Sequence, residues 1–180
     1  MTVQTEAAGL ETLLARQAIH DALLRYCWGI DRGDLGLVLS AFHEDARDNH
    51  SGVEESAVER FRRTVVEGAG MKTSHNIGNI LIQVDGASAS VQSNLTAWHQ
   101  FEFEGETWDW VIAGRYLDTF ERRAGDWRIS HRTVVYDFER FDAAGRRPAG
   151  HPADPFFAHV IRGQKSREDL SYRVLRRPVA

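Results

Sequence analysis

The chain has 180 residues, 42% of them hydrophobic and 27% charged, with a formal net charge of −4. Those numbers describe one globular domain large enough to bury a core, and they give no electrostatic case for binding nucleic acid or an anionic membrane. No apolar run approaches the roughly 20 residues of a membrane span, and the single cysteine, Cys27, excludes an intrachain disulfide and suits a reducing cytoplasm.

The opening Met-Thr-Val-Gln-Thr-Glu-Ala has neither a basic nor an apolar leader segment, so export is not expected and a cytoplasmic location is. Residues 1–9 read as a flexible N-terminus. From about Leu10 to Ile30, apolar positions recur at Ile19, Leu23, Cys27 and Ile30, in helical steps of four, four and three. Tyr26 falls within that stripe and faces the interior, and Asp31 lies near its edge at the helix end. Asp34 is placed to cap a short helix through Leu35, Val38, Leu39 and Phe42. Residues 43–55 are polar and turn-rich, with room for a short strand but no long element. Ser56 and Glu59 have capping-box spacing and open a third helix with Val58, Phe61, Val65 and Val66, which Gly68 and Gly70 close.

The period changes to two from residue 73. Ile77, Asn79, Leu81 and Gln83 alternate with Gly78, Ile80, Ile82 and Val84, a strand apolar on both faces. After the Asp85-Gly86 turn, Val91, Leu95, Ala97, His99, Phe101 and Phe103 share one face of the next strand. Trp108, Trp110, Ile112, Gly114, Tyr116 and Phe120 share a face of a third, and Trp127 to Phe138 form a fourth. Helices followed by hairpin-linked strands imply an α+β fold, a curved antiparallel sheet wrapped on the helices. Residues 139–180 are charged and Gly/Pro-punctuated. Arginines there are interleaved with acids until Arg173, Arg176 and Arg177, and one apolar island runs from Pro155 to Ile161.

Taken together, Tyr26-x4-Asp31-x2-Asp34, Phe42-His-Glu-Asp45, Ser74-His75-x3-Asn79, Val84-Asp-Gly86, and Gly114-Arg-Tyr-x-Asp118-x2-Glu121 through Trp127, His131 and Arg132 resemble the SnoaL-like family of the nuclear transport factor 2-like superfamily. The resemblance covers roughly residues 10–140, leaving 141–180 as a C-terminal extension that caps the pocket or contacts another subunit. It implies a cone-shaped α+β barrel with an internal pocket. It also implies kinship with scytalone dehydratase, bile acid 7α-dehydratase and hexachlorocyclohexane dehydrochlorinase, which eliminate water or HCl without a cofactor. Ketosteroid isomerase, polyketide cyclases and dioxygenase beta subunits share the fold with other chemistry or none, so fold alone leaves function open.

The family's His–Asp dyad looks similar to His75 and Asp31. A carboxylate holding one imidazole nitrogen leaves the other free to take a proton near neutral pH. Tyr26 matches a position where relatives place a Tyr or Lys, and is assigned with the dyad to catalysis. Arg132, His99, Trp110 and Tyr116 are assigned to substrate contact. All but Tyr116 have a bland alternative: a helix-end carboxylate for Asp31, a backbone-satisfied strand histidine for His75, a core tyrosine for Tyr26, a buried structural histidine for His99, core or interface packing for Trp110, and an outward ion pair for Arg132. Strand parity places Arg132 with Val134, Tyr136 and Phe138, places His131 with Trp127, Ile129 and Val135, and leaves open which of the two faces lines the pocket. His43, Asp45, Asp48 and His50 match no established metal motif and read as a hydrated loop. No phosphate-cradling or nucleophile-elbow motif occurs.

The expected function is a cofactor-independent, dehydratase-like lyase acting on a small hydrophobic cyclic compound, with no metal. An isomerase or polyketide-cyclase-like enzyme with the same site, and a non-catalytic binding or scaffold domain, are the alternatives. The resemblance further implies a homo-oligomer, a dimer or trimer.

Overall fold

The computed structural model describes residues 3–50, 52–145 and 150–175. Helix α1 spans Val3–Arg32. It begins ahead of the Leu10 start expected from periodicity, because Glu6, Ala7 and Ala8 propagate a helix well and a lone Gly9 costs only about 1 kcal/mol. Gly33 ends it at φ +66°, a left-handed conformation that suits glycine, and the Asp34 N–H donates to the Gly29 carbonyl at 2.8 Å. The Asp34 carboxylate then caps α2 (Leu35–Ser40) by accepting from the Leu37 N–H.

Phe42, expected inside that helix, instead opens strand β1 (Phe42–Asn49), and β2 (Glu54–Ser56) folds back on it. The stretch that read as turn-rich therefore holds an eight-residue strand. Its inward face is Phe42, Ala46 and Asp48, a pattern too polar to signal a strand from sequence. Ser56 caps α3 (Ala57–Glu67) by accepting from the Glu59 N–H, and a 3₁₀ turn at Gly68–Gly70 closes it.

The long strands β3 (Lys72–Asp85), β4 (Ser88–Phe103), β5 (Glu106–Arg123) and β6 (Asp126–Ala143) complete one sheet in the order β2-β1-β6-β5-β4-β3. The α+β expectation holds with two refinements. The β1–β6 pair is parallel, so the sheet is mixed, and β2 and β3 are unjoined edges, so the curved sheet is a cone that does not close. Strand β6 also runs past Phe138, pairing Phe141 with Trp110 and Ala143 with Trp108. The sheet wraps α1: Ile19, Ala22, Leu23 and Tyr26 are buried in one cluster with Ile112, Tyr116, Phe120 and Ile129, each large aliphatic or aromatic side chain stabilising by about 1.5–3 kcal/mol.

Bulges set which residues face inward. The β3–β4 register slips between Gly78 and Leu81, with Asn79 at φ +46°. His75 and Ile77 point inward before the slip and Ile80, Ile82 and Val84 after it, so Leu81 is 64% exposed rather than sharing the His75 face. A second slip between Thr119 and Phe120 passes over Ser130 on β6. It puts Arg132 on the same buried face as Trp127 and Ile129, overturning the parity assignment that joined those two to His131. A third slip lies at Ala113–Gly114, where a Cβ on Gly114 would stand 2.1 Å from the Val135 carbonyl oxygen.

The C-terminal extension carries two short helices, α4 (Asp154–Phe157) and α5 (Ser171–Val174). Its second half docks on the α1–α2 junction: Arg32 donates to the Gln164 carbonyl, Arg167 and Tyr172 donate to the Asp34 carboxylate, and Trp28 stacks on Tyr172 at 5.0 Å. Within the apolar island, Phe156, Val160 and Ile161 are exposed. Arg176 and Arg177 lie outside the described residues. No described helix is long and apolar enough to cross a membrane.

Candidate active site

A cavity of about 360 Å³ opens between α1, α3 and the concave face of the sheet. Its wall is largely apolar, formed by Ile30, Phe61, Val65, Leu95, Ala97, Ile112 and Val134, with polar groups at a few points. That is the character expected of a small-molecule site.

Asp31, in the last turn of α1, and His75, at the start of β3, meet at this wall. The Asp31 Oδ1 lies 2.7 Å from His75 Nδ1, and Asp31 Oδ2 accepts the His75 backbone N–H at 2.9 Å. A carboxylate can only accept, so Nδ1 carries the hydrogen and Nε2 presents a lone pair. Burial pushes the Asp31 carboxyl up, but the His75 hydrogen bonds and charge outweigh it and hold the group below its ordinary value.

His99 on β4 stands edge-on to His75, ring centres 5.5 Å apart, and packs on Trp110 at 5.0 Å. Burial, followed by the neighbouring His75, pushes its pKa down to about 4, so it is neutral at pH 7. Its Nδ1 is buried without a hydrogen-bond partner. Trp110 lines the cavity, donates Nε1–H to Glu139 at 3.0 Å and stacks on Phe141.

Tyr26 and Tyr116 form the floor, ring centres 5.7 Å apart. Burial raises both phenols well above their ordinary pKa, so both are neutral hydrogen-bond donors.

Arg132 is not part of the cavity lining, contrary to the substrate contact assigned to it. Its guanidinium is fully buried and paired at two points with Asp118, at 2.7 and 2.8 Å. It lies over the rings of Tyr116 and Tyr26 at 3.9 and 4.3 Å. The Ser130 bulge turns it inward, and Asp118 on the adjacent strand captures it there. It braces the two tyrosines from behind.

Lys165, His50 and Arg60 are polar or charged residues on the wall that the sequence reading did not place there. Lys165, from the C-terminal extension, reaches Thr73 beside the dyad, and desolvation lowers its pKa. His50 and Arg60 line the opposite end. His50 had a signal available: Asp48 and His50 are two residues apart, which on a strand puts them on one face. Nothing in sequence marked Lys165. Among the described residues no three His, Cys, Asp or Glu side chains gather as a metal site. His43 bonds the Glu121 carbonyl and Asp45 pairs with Arg123.

A profile of the SnoaL-like domain matches residues 11–133. No curated protein sequence matches the chain. Among solved structures, a putative scytalone dehydratase from Novosphingobium aromaticivorans is 22% identical with a TM-score of 0.64, over 78% of this chain and 96% of that one. A hexachlorocyclohexane dehydrochlorinase from Novosphingobium barchaimii is 20% identical with a TM-score of 0.68, over 78% and 98%. A Nostoc punctiforme protein of unknown function with a cystatin-like fold is 18% identical with a TM-score of 0.56, over 68% and 90%. At these identities the likeness is one of fold.

Proposed function

Because the chain belongs to the SnoaL-like domain family, and an Asp-held imidazole opens on its apolar cavity, we propose that it is a cofactor-independent, dehydratase-like lyase acting on a small cyclic compound. The observation that carries this reading is the two-point hold of Asp31 on His75, which leaves Nε2 as a base facing the cavity. Two of the fold neighbours, a putative dehydratase and a dehydrochlorinase, are named for eliminations.

In a β-hydroxy cyclic ketone, His75 Nε2 takes the proton from the carbon beside the carbonyl. The C–H electron pair forms the new C=C bond as the β C–O bond breaks. The imidazolium returns its proton to the departing hydroxide, so water leaves and His75 is neutral again. Asp31 stabilises the imidazolium while it exists. The neutral Tyr26 phenol donates to the carbonyl oxygen as charge develops there, and His99 and Trp110 pack against the ring plane. The bare wall strengthens each of these interactions.

A tetralone bearing a hydroxyl β to its ketone tests the reading by mass spectrometry. Loss of one water in the wild type, abolished in His75→Ala with the fold intact by circular dichroism, is the expected result. Turnover that survives in that variant sinks the assignment. A product of unchanged mass indicates an isomerase, in which His75 Nε2 returns its proton to another carbon of the same ring.

The same reading extends to assembly as a homo-oligomer. Leu81 and Leu117, on the outward face of the sheet, are exposed and pair with the same residue, Gln92, from either side. The two leucines, on either side of Gln92, offer apolar contacts on that face to a second copy.

A further inference from the structure

The cavity holds a second imidazole–carboxylate pair, contributed from the other end of the sheet. His50 follows β1, and its Nδ1 is hydrogen-bonded to Asp48 Oδ1. The Asp48 side chain is fully buried, and the same oxygen is 3.2 Å from Arg60 Nε. The carboxylate therefore takes the Nδ1 hydrogen, and Nε2 carries the lone pair. Nε2 has no hydrogen-bond partner among the described residues, and the ring lies on the cavity wall, flanked by Phe61 and Tyr116. His50 has a single nitrogen fixed, and its ring lines the same cavity as His75.

We propose that His50 Nε2 accepts a hydrogen bond from a ligand hydroxyl, so that the cavity takes a hydroxylated ring compound held between two imidazoles. This deepens the lyase reading and rests on it for the role of His75: one histidine meets the carbon that loses its proton, the other the hydroxyl at the far end. Asp48 is a positioning residue that fixes the His50 tautomer. The Arg60 guanidinium beside Asp48 favours a phenolic or enolic hydroxyl over an ammonium group, which it would repel. Desolvation, outweighing the pull of Asp48, lowers the His50 pKa, with the Arg60 and Arg132 charges adding to the effect. The ring thus stays a neutral acceptor at pH 7.

The test compares β-naphthol with β-naphthyl methyl ether, which has the same ring but no hydroxyl hydrogen, by fluorescence titration. The wild type should prefer the naphthol by roughly 5- to 10-fold, the worth of one hydrogen bond. His75→Ala should keep that preference and His50→Phe should lose it. The ¹⁵N signals of the wild-type His50 imidazole give a reading that needs no variant: an Nδ1–H tautomer whose Nε2 resonance moves on naphthol addition. No naphthol binding, a preference that survives His50→Phe, or naphthol binding that leaves Nε2 unmoved overturns the proposal. These are equilibrium readouts, so a lyase reading that fails on tetralone turnover is told apart from a failure at His50.

Discussion

Asp31 grips His75 at two points, one carboxylate oxygen on the ring Nδ1 and the other on the backbone N–H of the same residue. A side chain held only by its ring could rotate about χ1. Here the carboxylate fixes ring and backbone together, joining the end of α1 to the start of β3. Substituting Asp31→Asn preserves the shape but allows the amide to donate to Nδ1, moving the hydrogen to Nε2 and removing the base. Turnover of the β-hydroxy tetralone should fall by roughly 10²- to 10⁴-fold, with the tautomer change visible in the His75 ¹⁵N spectrum.

Stability should fall with acid over a defined window. The folded-state pKa of His99 is about 4, against an ordinary value of 6.5. Between those values the unfolded chain binds a proton that the folded chain does not. The contribution is fully present above pH 6.5 and is lost as pH falls towards 4, by up to about 3 kcal/mol. Asp31, whose folded pKa is depressed, adds a loss below its ordinary value of 3.8. Urea denaturation across pH 7 to 4 should show the slope, and His99→Phe should reduce it above pH 4, leaving the share of His50, whose pKa burial also lowers. An unchanged slope in that variant places the titration elsewhere.

The buried Arg132–Asp118 pair should be costly to break and cheap to replace. Asp118→Ala leaves a guanidinium without its partner at a site with no solvent exposure, and should cost about 3–5 kcal/mol. Asp118→Leu combined with Arg132→Met should recover most of that loss in the same urea assay. Equal losses in the single and double variants would mean that packing of Arg132 on the tyrosine rings dominates over charge.

Assembly is tested on the outward leucines. Leu81→Lys with Leu117→Lys should convert a dimer or trimer to a 20.4 kDa monomer in sedimentation velocity, with the cavity and its tetralone chemistry unchanged. A wild-type monomer at all concentrations removes the oligomer proposal.

Much of the fold was legible because its signals are local. Asp34 and Ser56 are caps readable from their neighbours, Gly86, Gly105 and Gly125 mark turns at positive φ, and the period-two stretches became strands. What misled was the bulge. Each extra residue reverses inside and outside for everything beyond it, so alternation gave Leu81 the wrong companions and grouped Trp127 and Ile129 with His131 instead of Arg132. Asn79 was the only hint of the first bulge, as a residue that tolerates left-handed backbone, and Ser130 carried no hint of the second. Strand β1 read as no more than a short strand because its inward positions include Asp48, whose burial depends on His50 two residues on and on Arg60, which α3 brings in from outside the strand. The Asp31–His75 pairing spans 44 residues and was legible only through the family's motif order.

Lys165 lines the cavity from a segment that follows the last strand and anchors on Asp34 through Arg167 and Tyr172. Occupancy of the cavity and attachment of that segment are therefore linked equilibria: whatever gains from Lys165 also favours the docked tail. A bound ring compound would slow proteolytic clipping near residue 165.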